Sequence, residues 1–134
     1  MKNLILTFVL VLLSVVTYAQ KKDHPQPTDC QKFKNGTFKI VDEKLGNFTI
    51  TRYGNKQTET KEGENESFTF FVKWINDCTY TLTADSAFHK KFPDMPANAL
   101  LTVTIIKTTS KSYTQRSTSN FSDLVAECEM VKVK

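Results

Sequence analysis

Asp85, Ser86 and His89 stand close together, and a carboxylate four positions before a histidine on a helical turn could orient the ring as a base for a nearby hydroxyl. Such a pair needs a nucleophile held on a strained turn or a donor-rich loop for the developing charge. The chain has neither a nucleophile elbow nor a glycine-rich phosphate loop. His89 therefore reads as a surface histidine. The other histidine, His24, falls in a polar stretch near the N-terminus. No spacing of His, Cys and carboxylates matches a zinc site, and no acidic loop matches an EF-hand. The expectation is no catalytic residue, no metal and no cofactor: a protein that is not an enzyme.

The three cysteines offer oxidative chemistry, provided the compartment is oxidising. Met1-Lys2-Asn3 gives one positive charge, residues 4–16 are mostly apolar, and Thr17-Tyr18-Ala19 places small residues before a cut ahead of Gln20. This is the three-part layout of a secretory signal peptide, and the apolar run is too short for a membrane-spanning helix. No cysteine sits at the cut, so a lipid-anchored mature end is not expected. The expectation is an exported, periplasmic or extracellular protein with no stable membrane span after cleavage of residues 1–19. Residues 20–32 form a polar leader and residues 33–134 a single β domain.

Charge narrows the partners. The chain carries 18 basic and 14 acidic residues, a net +4, with lysines scattered among acids as in Lys56, Glu59, Lys61 and Glu62. A nucleic-acid surface needs clustered Lys and Arg with interleaved aromatics. There is no such cluster, so no nucleic-acid partner is expected.

The elements that must position the remaining side chains are strands. Thr, Val, Ile, Phe and Tyr dominate, and apolar and polar residues alternate with period two. Phe38 and Ile40 share one face, as do Phe48 and Ile50, then Phe68, Phe70, Val72 and Trp74, then Tyr80, Leu82 and Ala84. Leu101, Val103 and Ile105 follow, and later Leu124, Ala126, Cys128 and Met130, with the polar 112–119 segment as a hairpin partner between them. Gly54-Asn55 is a two-residue hairpin turn leading into 56–61, a polar strand expected at a sheet edge or heavily solvated. About eight short strands joined by tight turns predict an all-β, antiparallel up-and-down meander. It would be a small lipocalin-like barrel with one short helical turn.

That helical turn falls in residues 85–98, where Asp85 can cap, Phe88 and Phe92 share a face, and Pro93 stops the helix. It is expected to plug one end of the barrel. The alternative is a lid over a pocket, with Phe88, Phe92 and Met95 on the ligand.

In an up-and-down meander the first and fifth strands, about 33–41 and 78–84, begin at the same end. Cys30 lies just before the first, and Cys78 opens the fifth. A Cys30–Cys78 disulfide is therefore expected, with Cys128 free on the apolar face; three unpaired thiols are the alternative.

Asp29-Cys30-Gln31-Lys32-Phe33-Lys34-Asn35-Gly36-Thr37-Phe38, Ile50-Thr51-Arg52-Tyr53-Gly54-Asn55 and Val72-Lys73-Trp74-Ile75-Asn76-Asp77-Cys78-Thr79-Tyr80 resemble a group of short exported bacterial proteins. The likeness covers roughly residues 28–84, and some of that group carry the label DNA topoisomerase IV. Cleavage before Gln20 leaves a chain with no room for the gate, nucleotide and metal-binding domains which that activity needs. Gly36-Thr37-Phe38 is also similar to the Gly-x-Trp opening of lipocalins, with Phe in place of Trp. These resemblances imply a fold.

Two functional classes follow. In the first, inward aromatics, including Phe38, Phe70, Trp74 and Tyr80, together with Phe88, line a cavity for a small apolar ligand. Trp74 shares a face with Phe68, Phe70 and Val72 and would lie near it. In the second, the barrel is filled by its own side chains, and the protein is a structural or interaction component of the cell envelope.

Overall fold

Eight antiparallel strands close into a barrel in simple sequence order. The structure is a computed structural model that describes residues 29–43 and 46–134. The expected signal peptide and residues 20–28 of the leader lie outside the described residues. The strands are β1 (Gly36–Asp42), β2 (Gly46–Tyr53), β3 (Lys56–Lys61), β4 (Ser67–Trp74), β5 (Thr79–Ala84), β6 (Leu101–Thr108), β7 (Ser112–Ser119) and β8 (Ala126–Lys132). A short helix, α1 (Ser86–Lys91), follows β5. The all-β meander with one helical turn is the architecture that the alternation implies.

Successive hairpins give the barrel two distinct ends. At one end lie a 3₁₀ turn, Gln31–Phe33, the 54–55 turn, the 75–78 loop and the C-terminus. We call this the closed end. The helix, the 62–66 turn and the 120–125 loop lie at the other.

Two devices seal the closed end. Cys30 and Cys78 form a disulfide that ties the 3₁₀ turn to the loop before β5, as strand counting implies. The carbonyl of Lys32 accepts from Lys132 Nζ, and the Thr37 amide donates to the Lys134 carbonyl. The turn at Gly54 (φ +58°) needs a residue free of the Cβ clash of left-handed backbone.

Two details depart from expectation. The first strand begins at Gly36 rather than Phe33, because residues 31–33 coil into the 3₁₀ turn and bury Phe33 completely. Leu124 lies outside β8 and is highly exposed.

The larger correction concerns β3. A closed ring has no edge, and this polar strand is paired on both sides, with β2 and with β4. Its Gln57 is buried and Glu59 partly so. What makes an inward polar strand tolerable is the side chain opposite Gln57 on β2, a fully buried arginine.

The interior packs as two clusters. Phe33, Phe38, Ile50, Ile105, Tyr113 and Met130 form one with Cys30. Val72, Tyr80, Leu82 and Val103 form the other, and Trp74 packs against both.

Candidate functional site

Arg52 continues the inward face of β2 after Phe48 and Ile50, and its guanidinium is completely buried. Desolvating a cation is costly unless its donors are all met. Here Nε donates to Gln57 Oε1 at 2.7 Å and Nη1 to the Phe33 carbonyl at 3.0 Å. Nη2 donates to the Tyr80 and Tyr113 hydroxyls at 2.7 and 2.9 Å. The guanidinium also lies 4.4 Å from the Tyr80 ring centre and 5.1 Å from that of Phe38. Burial opposes the charge on Arg52, but Tyr80, Tyr113 and Glu59 carry its pKa above the ordinary value. For Tyr80, burial dominates and holds the phenol well above its usual range, so it stays neutral and donates onward to Gln115 Oε1 at 3.2 Å.

Because Gln57 Oε1 is taken by Arg52, its Nε2 points the other way and donates to Glu59 Oε1 at 2.7 Å. A polar row thus climbs the barrel from Arg52 through Gln57 to Glu59. Burial raises the Glu59 carboxyl above its ordinary value, while the Gln57 bond and the Arg52 charge pull it partly back.

At the upper end of this row is a cavity of about 180 Å³, open to solvent at the helical end. Glu59 shares its lining with Phe70, Leu82, Ala84 and Leu101 from the strands, Phe88 from the helix, and Met95, Ala99 and Phe121 from the loops. The helix is anchored over the mouth by its aromatic side. Phe88 lies 5.3 Å from both Phe68 and Phe70, centre to centre, and Phe92 lies 5.6 Å from Phe68. Asp85 caps the helix by accepting the Phe88 amide at 2.9 Å. Its carboxylate is thus engaged with backbone rather than held ready for the His89 ring.

The aromatic residues singled out from the sequence divide between the two ends. Phe70 and Phe88 line the cavity, with Met95 beside them. Phe38, Trp74 and Tyr80 surround Arg52 at the closed end, with the Trp74 and Tyr80 rings 4.6 Å apart. Lys34 covers the outer side of Trp74 at 5.0 Å. Cys128 is free and half-buried on β8, and burial pushes its thiol pKa up. Among the described residues, no cluster of three or more His, Cys, Asp or Glu side chains could hold a metal ion, and no helix is long and apolar enough to cross a membrane.

Alternation of apolar residues does not by itself single out Arg52, Gln57 and Glu59 as site residues. A signal was present: Arg52 sits two positions after Ile50, and the Gly54-Asn55 turn brings Gln57 opposite it. Compared with protein-family models, curated proteins and solved structures, the chain matches none.

Proposed function

We propose that this is an exported binding protein, without catalytic activity, that holds a small and mainly apolar ligand in the cavity beneath the helix. The observation that carries the reading is the cavity itself: about 180 Å³, with eight of its nine lining residues apolar. An engineered cavity of ~150 Å³ lined by Leu, Ile and Phe takes up benzene. This site therefore has room for one aromatic ring with a short substituent, or for a short alkyl chain. The disulfide at the closed end suits a protein that works in an oxidising compartment.

The test is an NMR titration with benzene, toluene and a series of n-alkanols. Resonances of Phe70, Phe88 and Leu101 should shift, and each added methylene should tighten binding about fourfold until the cavity is full, from ~0.8 kcal/mol per buried CH₂. Ala84→Leu, which fills the cavity from its own wall, should abolish the shifts in a folded barrel. Wild-type spectra that ignore every apolar probe would overturn the reading.

A second reading, an interaction component of the cell envelope, draws support from the 120–125 loop. Phe121, Leu124 and Val125 expose apolar surface there, Leu124 at 80 %. Loss of a pulled-down partner on Leu124→Lys, with cavity binding absent, would favour it.

A further inference from the structure

We propose that the cavity selects an uncharged ligand bearing one hydroxyl-type donor, which bonds the Glu59 carboxylate while an apolar remainder fills the space beside Phe70, Phe88 and Phe121. The proposal rests on the binding reading above and adds the ligand's chemical class.

Three observations lead to it. First, Glu59 is the lone polar side chain in a lining that otherwise consists of Phe, Leu, Ala and Met. An ionised carboxylate accepts at about four lone-pair positions. Gln57 Nε2 fills one of them, and none of the other lining side chains can donate a hydrogen bond. A ligand that enters must supply a donor or leave the carboxylate facing apolar matter.

Second, the carboxylate is held in place. Arg52 takes the Gln57 carbonyl, so the Gln57 amide nitrogen is turned toward Glu59 and tethers this lining residue. An acceptor fixed by neighbours in this way loses little freedom when a ligand bonds to it.

Third, the interior charge is already balanced. Arg52 is cationic at every relevant pH, and Glu59 is the carboxylate whose charge reaches it. An anionic ligand would meet Glu59 head on. A cationic one would pair with Glu59 but draw the carboxylate away from the balance it strikes with the buried Arg52. A neutral donor avoids both costs. It also gains a charge-assisted hydrogen bond, which is stronger than a neutral one.

The experiment compares toluene, benzyl alcohol, benzylamine and benzoate by NMR titration on the intact disulfide-bonded protein at neutral pH. Benzyl alcohol should bind about tenfold tighter than toluene, and both charged analogues should bind more weakly than the alcohol. In Glu59→Met, which keeps the length of the side chain but removes the acceptor, the order of alcohol and toluene should invert. In Glu59→Gln, of the same shape but uncharged, the alcohol's advantage should shrink to threefold or less. The Gln variant keeps the test open should the Met variant fail to fold.

Toluene binding as tightly as the alcohol to wild type would overturn the proposed selectivity while leaving the apolar cavity reading intact. Benzylamine binding most tightly would overturn the charge argument and hence the proposal. No binding by any of the four would remove both readings together.

Discussion

Arg52 and Gln57 face each other across the β2–β3 ladder, and the 2.7 Å bond from Arg52 Nε to Gln57 Oε1 decides which way the Gln57 amide points. An amide alone has no preference between its two orientations. With the arginine in place it has one, and the nitrogen reaches Glu59. The closed end of the barrel thereby sets the geometry of a group at the opposite end.

Removing that cation should be among the most damaging single changes in the protein. Arg52→Met leaves the Gln57 and Phe33 carbonyl oxygens and two tyrosine hydroxyls short of a donor, and should lower the unfolding free energy by about 3–5 kcal/mol. Arg52→Lys should recover less than half of this, since one ammonium cannot reproduce the planar fork. Urea unfolding of the three proteins checks both statements.

Glu59 should give stability a pH dependence of defined sign. Burial holds its folded pKa above the unfolded value, so the folded barrel binds this proton more tightly than the unfolded chain does. The contribution is fully present below the unfolded value, ~4.3, and is lost as pH rises through the folded one. Glu59→Gln removes it. The variant should therefore gain on wild type as pH climbs through that window and hold a constant difference above it. Urea midpoints from pH 4 to 8 would show this, and parallel curves would contradict it.

The disulfide should be the strongest single tether. Cys30 and Cys78 are 48 residues apart, and closing such a loop stabilises by ~4 kcal/mol on the chain-entropy model. The double variant Cys30→Ala, Cys78→Ala should lose up to that amount in urea unfolding. Native mass analysis should find Cys128 as the free thiol among the three cysteines.

Gly36 should tolerate no side chain. Its φ is +142°, and an added Cβ would stand 2.5 Å from the Lys134 carbonyl oxygen, which is backbone and cannot turn aside. Gly36→Ala should cost about 2 kcal/mol or more. Amide exchange should quicken first at Thr37 and Val133, whose backbone bonds cross at this point.

The period of two made the faces of the apolar strands legible. Phe38 with Ile40, Phe70 with Val72 and Tyr80 with Leu82 all turn inward as their spacing implies, and the strand count brought Cys30 to Cys78. Two things were hidden, for different reasons. Alternation assigns a residue to a face but not to a height along the barrel, which depends on strand tilt and stagger. Trp74 and Phe70 share a face, yet one packs on Arg52 and the other lines the cavity. The inward polar row was hidden because Gln57 and Glu59 sit among lysines and threonines that resemble a solvated strand. Their burial becomes affordable only with the Arg52 partner on a neighbouring strand, and pairwise compensation of this kind leaves no trace in the composition of either strand alone.

The ring is fastened unequally. Strands β1 and β2 pair over seven residue positions, whereas β1 and β8 pair over two, Phe38 with Lys132 and Lys39 with Val131. Seven of the eight ladders join neighbours in the chain and can form while it is still being delivered. The eighth waits for β8 and must join strands far apart in the chain, with Lys132 reaching Lys32 across 100 residues. Contacts at such separation are the slow ones in folding. With the other seven ladders formed and this one not, the chain would be an open, curled sheet with two unpaired borders, β1 and β8. Until the seam shuts, those borders can accept a strand from another molecule, so the final two-pair ladder governs how long the unfinished protein is exposed to misassembly.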